Sequence, residues 1–139
     1  MNGVANGVYG GDLPNQINTP WIDFSEQSTI VGWSSFTTKI IRYRVVGKIV
    51  FVHVDLAGTS NSVDLSITLP FNPSSIYTSG FVTNLGISAN NGANLIGYLL
   101  GTVNSNILSG RYAASYFNVS ATYTASGTKT MRVQFFYEI

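Results

Sequence analysis

The residues with the clearest potential for chemistry are the single histidine, His53, and the carboxylate two positions later, Asp55. In a strand, residues two apart lie on the same face, so the imidazole and the carboxylate would lie side by side. A nucleophilic relay would also need a hydroxyl within hydrogen-bond reach of the imidazole. No G-x-S-x-G turn that would present such a serine occurs in the chain. We therefore interpret the pair as part of a partly polar strand face and expect a protein that is not an enzyme.

Carboxylates and metal ligands are equally sparse. Two acids could meet across strands for glycoside cleavage, but no local motif places any two of the six together. With one His, no Cys and no loop of the D-x-D-x-D-G type, we expect no metal site and no cofactor. The acids are expected to pair with the basic residues or to lie in turns, and they are Asp12, Asp23, Glu26, Asp55, Asp64 and Glu138.

Aromatic residues make up 13% of the chain, and some of them depart from the expected core faces. Tyr112 and Tyr116 fall on the strand face opposite the apolar residues around them, and Phe136 falls opposite Phe135 and Tyr137. Rings on both faces of a strand imply burial on both faces. We take Tyr112, Tyr116 and Phe136 as candidates for a subunit interface, or alternatively for stacking against a sugar ligand.

Strands must position these side chains, because apolar and polar residues alternate from Trp21 onward. The clearest case is 40–56, which predicts two antiparallel strands joined by a tight turn at Gly47, the second of them central in its sheet. Further strands are predicted at 63–69, and at 81–88 and 94–103 on either side of an Asn-Gly hairpin turn at Asn91. A last pair, 111–124 and 129–139, is predicted around Gly127.

No segment shows a sustained helical period, so the pattern favours an all-β fold. About eight strands with short turns predict an antiparallel β-sandwich, and we expect a jelly-roll-like one. The final strand is expected to lie inside a sheet, with the side chains of alternate residues from Met131 to Ile139 on one face.

Charge is scarce: 9% of the residues are charged and the net charge is +1. The basic residues are scattered, so we expect no nucleic-acid partner. No apolar run approaches the length that a membrane-spanning helix needs, and residues 1–11 lack the basic start and apolar stretch of a secretory signal. We expect no membrane insertion.

Residues 1–20 are rich in Gly and Asn and predict an N-terminal arm or linker, with the sandwich domain at 21–139. Such an arm has too little apolar surface to fold alone. It would either pack on its own domain or anchor the chain to other proteins, in which case Val4, Val8 and Tyr9 are the candidate anchoring residues.

Six segments follow one another in a familiar order: Trp21–Phe24, Gly32–Ser35, Ile41–Arg44, Gly47–Val52, Gly58–Ser62 and Ser66–Pro70. Over Trp21–Phe71 the chain resembles the β-rich C-terminal or head domain of bacteriophage tail-fibre and other virion appendage proteins. The resemblance implies a homotrimeric β-sandwich on the phage particle surface, assembled in the host cytoplasm, which binds a receptor on the bacterial surface. On this interpretation we expect the arm to contact other virion proteins.

Other functions stay open on the residues alone. The chain lacks a shaft before the domain, which suits a head fibre or a capsid decoration protein as well as a tail fibre. The exposed aromatics are also compatible with a lectin-like module that binds a bacterial surface glycan.

Overall fold

The computed structural model describes residues 17–75, 81–82, 86–91, 93–101, 105–115, 119–121 and 124–139. Within these ranges every regular element is a β-strand. The strands are β1 (Ile22–Asp23), β2 (Ile30–Val31), β3 (Trp33–Val46), β4 (Ile49–Ser60), β5 (Ser66–Thr68), β6 (Phe81–Val82), β7 (Gly86–Asn90), β8 (Ala93–Gly101), β9 (Ile107–Ser115), β10 (Val119–Ala121) and β11 (Thr128–Glu138).

Two antiparallel sheets of four strands face each other, which confirms the all-β sandwich predicted from the alternation. The first sheet has the order β1-β3-β4-β11 and the second β7-β8-β9-β5. Of the remaining short strands, β2 pairs with β5, β6 with β8 and β10 with β9. Strand β4 is flanked by β3 and β11, as predicted, whereas β11 pairs with β4 throughout and has a second neighbour, β7, only over Lys129–Arg132.

The predicted hairpins at Gly47 and Asn91 are both confirmed. Strands β3 and β4 pair along most of their length across a turn in which Gly47 has a φ of 60°. Strands β7 and β8 pair with Asn90 opposite Ala93, and Asn91 adopts a φ of 52°. Positive φ at these positions is what the Gly and the Asn-Gly pair make accessible.

The predicted hairpin around Gly127 is wrong. Strand β11 pairs with β4 along its whole length and with β7 over Lys129–Arg132, whereas β10 pairs with β9. Gly127 does lie in a turn, with a φ of 81°. This turn contacts both sheets. Gly127 O accepts a hydrogen bond from Ser60 N at the end of β4, and Thr128 O accepts one from Asn91 N in the turn after β7.

Hydrogen bonding connects the two sheets along both sides of the sandwich. On one side β11 pairs with both β4 and β7. On the other side β2 pairs with β5 and then continues through Gly32, at a φ of 116°, into β3 of the first sheet. A strand that bends from one sheet into the next is a known way of making the corner of a sandwich.

The core lies between the sheets and consists of the inward-facing residues of both. From the first sheet it takes Trp33, Ile41 and Val45 of β3, the even-numbered residues 50–56 of β4 and the odd-numbered residues 131–137 of β11. The opposite layer contributes Leu65, Ile67, Leu69, Leu99 and Leu108. Every second residue of the long strands is therefore fixed inward, and the residues between them are fixed outward.

Of the predicted arm, residues 17–20 run along the free edge of β3. Thr19 N donates to Val45 O at 2.9 Å, and Gly47 N donates to Ile17 O at 2.7 Å. Val4, Val8 and Tyr9 lie outside the described residues. The described part of the chain contains no helix that could cross a membrane.

Candidate functional site

The side of the first sheet that faces away from the core carries most of the chain's arginines and a pair of exposed rings. We call it the outer face. Its side chains alternate with the core residues of β3, β4 and β11, and cross-strand pairing arranges them in rows. In the three central rows they are Ile40, Arg42, Arg44, Phe51, His53, Asp55, Arg132, Gln134 and Phe136. Two further acids lie at the margins of this face: Glu138 in the row next to Phe136, and Asp23 of β1 beside Arg42.

The first row consists of Arg44, Phe51 and Phe136, which are direct neighbours across the three strands. The rings of Phe51 and Phe136 contact each other, with centroids 5.9 Å apart and planes inclined by 45°. Phe136 exposes 63% of its surface and Phe51 exposes 38%. Such rings leave a large apolar area in water that a bound partner would cover.

The second row consists of Arg42, His53 and Gln134. Gln134 Nε2 donates to His53 Nδ1 at 2.9 Å. Partial burial, and then the positive charge of Arg42, lower the pKa of His53 below its usual 6.5, and Asp55 opposes this only in part. The imidazole is therefore neutral at pH 7 and offers hydrogen-bonding capacity rather than charge.

The third row contains Ile40, Asp55 and Arg132. Arg132 Nε donates to Asp55 Oδ1 at 2.9 Å, so these two charges neutralise each other. His53 and Asp55 do share one face, as the sequence predicts. Each is nevertheless engaged by a residue of β11, which is not the arrangement of a nucleophilic relay.

Arg42 and Arg44 differ from Arg132 in having no carboxylate within 4.0 Å among the described residues. The Arg42 guanidinium lies over the Trp21 ring, 5.1 Å from its centroid. Arg44 Nη2 donates to Asn18 Oδ1 at 2.8 Å, while its buried Nε finds no acceptor in the described part of the chain. Their partners are thus an aromatic ring and a neutral amide, and neither forms a salt bridge among the described residues, although Asp23 of β1 is the cross-strand neighbour of Arg42.

The sequence-predicted candidates fall into two groups. Phe136 is exposed on the outer face, beside Phe51. Tyr112 lies in β9, but its side chain is outside the description, and Tyr116 is outside the described residues altogether. Arg42 and Arg44 were not predicted as site residues. The available signal was their alternation with Ile41, Tyr43 and Val45, which places them on the opposite face of the strand.

A second polar feature, also missed, lies at the start of β11. Lys129 is fully buried. Its ammonium group donates to Ser62 O at 2.7 Å and Asp64 O at 3.2 Å, and it lies 5.3 Å from the centroid of Trp33. Burial lowers the pKa of Lys129 to about 8. Through the carbonyls of Ser62 and Asp64, this lysine holds the 61–65 loop against the first sheet.

Among the residues that the structure describes, no three His, Cys, Asp or Glu side chains come together in a way that could hold a metal ion. The chain matches no family model, no curated protein and no solved structure. Its function must therefore be argued from the outer face itself.

Proposed function

We propose that this chain is a non-enzymatic virion module, a surface appendage domain of a phage particle that attaches to a receptor on the host cell. The observation that carries this proposal is the exposed row of Phe51 and Phe136 beside Arg42 and Arg44. Aromatic residues and arginine are the side chains that contribute most to binding energy at interfaces.

The rigidity of the support favours a binding role. Phe51 and Phe136 project from β4 and β11, whose alternate residues are core residues fixed between the sheets. A partner that docks on such a face orders few further side chains, which lowers the entropic cost of binding. The engagement of His53 by Gln134 and of Asp55 by Arg132 is consistent with binding rather than catalysis.

The oligomeric state is a separate part of the proposal. We expect a homotrimer, as the resemblance to appendage domains implies. Sedimentation equilibrium should then give a native mass three times the chain mass of 15.0 kDa. A stable monomer at micromolar concentration would contradict this part of the proposal.

Location on a particle can be tested by imaging. Antibodies against the chain, applied to phage particles released from cells that produce it, should label a projecting fibre in electron micrographs. Labelling over the shell would favour the alternative of a head fibre or capsid decoration protein, and particles without label would contradict a virion role.

A further inference from the structure

The outer face carries a more specific chemical signal than a general contact surface. From two arginines that form no salt bridge among the described residues and lie beside exposed rings, we propose that it binds a carboxylated polysaccharide, with Arg42 and Arg44 holding uronate carboxylates and Phe51 and Phe136 stacking on the sugar rings. This inference rests on the proposed receptor-binding function and names the class of receptor.

The positive charges of Arg42 and Arg44 favour an anionic ligand. Arg42 and Arg44 lie on one strand two residues apart, so their side chains leave the sheet on the same face. Neither has a carboxylate within 4.0 Å among the described residues, whereas Arg132 is neutralised by Asp55. A planar guanidinium binds a carboxylate through two parallel hydrogen bonds, which is stronger and more specific than a point charge.

The exposed rings of Phe51 and Phe136 favour a sugar as the ligand. A pyranose presents C–H bonds on its faces and hydroxyls at its edge, so an exposed ring can cover the face while polar groups reach the edge. Phe136 and Phe51 form such a platform directly beside Arg44, and His53 and Gln134 lie in the adjacent row. The outer face spans three paired strands, so it offers contacts to more than one sugar of an extended chain.

A second copy of this chain is a poorer occupant of the same face. Whichever part of its surface a second copy presented, it would need acidic side chains opposite Arg42 and Arg44. On the outer face itself, the central acid Asp55 is already paired with Arg132, and the other two acids, Asp23 and Glu138, lie at the margins. Like charges brought together in a contact are unfavourable, whereas an anionic polymer matches them.

Calorimetric titration of the full chain with hexagalacturonic acid tests the proposal, with maltohexaose as the uncharged probe and inorganic polyphosphate as the probe of charge alone. We expect binding of hexagalacturonic acid and none of maltohexaose. Arg42→Lys and Arg44→Lys keep the charge but lose the two-pronged geometry, and each should weaken binding about tenfold. Phe136→Ala should weaken it by a similar factor.

Lys39→Gln is the matched control, because it removes one positive charge that is already paired with Glu26. It should leave the affinity within about twofold of the parent protein. Unchanged circular dichroism of every variant shows that the sandwich is intact.

Three results would overturn the inference: no binding of hexagalacturonic acid, binding that is indifferent to Arg42→Lys and Arg44→Lys, or equally tight binding of polyphosphate. A native mass that falls in Phe136→Ala would also overturn it, because the face would then be a subunit contact. None of these results bears on whether particles carry the chain, which the imaging experiment tests separately.

Discussion

At the residue scale, the buried Lys129 is the clearest departure from what composition and alternation predict. An inward position in a strand is normally apolar, and this one follows the same phase as Met131 and Val133. The phase could have been recognised from the sequence. The carbonyls of Ser62 and Asp64 that make the burial possible could not, because they come from a loop more than sixty residues away.

The lowered pKa of Lys129 makes stability depend on pH. Between its folded pKa of about 8 and the usual 10.5, the unfolded chain holds a proton that the folded protein has released. The free energy of unfolding should therefore rise with pH across this window, by about 3 kcal/mol over its full width. Urea unfolding between pH 7 and 10 measures the slope.

Lys129→Met is the variant that isolates this effect. It removes the titrating group while keeping a long side chain against Trp33. The free energy of unfolding of this variant should therefore not rise between pH 8 and 10, whatever its value at pH 7. If the free energy of unfolding of the parent protein does not rise over this range, or if that of the variant still rises, Lys129 is not the source of the pH dependence.

Tyr137 has the opposite pH dependence. Burial raises the pKa of its hydroxyl well above the usual 10. Above pH 10 the unfolded chain ionises this group while the folded protein keeps it protonated, so the free energy of unfolding should fall as pH rises.

Tyr137→Phe should remove the decrease in the free energy of unfolding above pH 10. The hydroxyl donates to Phe71 O at 3.1 Å and accepts from Phe71 N at 3.3 Å, so we expect a loss of about 1–3 kcal/mol at pH 7 as well. An unaltered decline above pH 10 in the variant would assign it to other groups.

At the scale of elements, local turn chemistry was predictable and long-range pairing was not. Gly47 and Asn91 each form a turn between strands adjacent in sequence, where the turn alone decides which strands pair. Gly127 forms a turn too, but β11 finds its neighbours in β4 and β7 because its apolar face completes the core there. Alternation identifies the face of a strand without identifying its partner.

The irregular part of the β3–β4 pair depends on Gly58. The register shifts on either side of Ser35 and Phe36, and this brings the β3 backbone close to Gly58. A methyl group at Gly58 would overlap Ser35 O and lie 2.9 Å from Phe36 Cα.

Gly58→Ala should therefore destabilise the protein by about 3 kcal/mol, since backbone atoms cannot move aside as a flexible side chain can. Thermal or urea unfolding measures the change. Ala57→Gly, at the neighbouring position, should cost no more than about 1 kcal/mol. Equal effects of the two variants would contradict close backbone packing at Gly58.

At the scale of the whole molecule, the two sheets leave one broad face of the first sheet with exposed rings and with two arginines that form no salt bridge among the described residues. Composition alone indicated a fold with few ions and a surface with surplus aromatics, and Phe136 was identified from its phase. The cluster around Phe136 depended on the register of three strands, which places Arg44, Phe51 and Phe136 in one row. The register depends on how distant strands pair. The sequence therefore indicated Phe136 but not the residues that lie beside it.

The accessibility of the outer face in the native protein tests this account most directly, and the absence of cysteine from the chain makes the measurement clean. Maleimide labelling would compare Gln134→Cys, beside Phe136 on the outer face, with Ser126→Cys in an exposed turn. We expect similar labelling rates for the two variants alone. Hexagalacturonic acid should slow only Gln134→Cys, by several-fold. A Gln134→Cys thiol that is already protected without ligand, or that labels at the same rate with it, would contradict a free binding face.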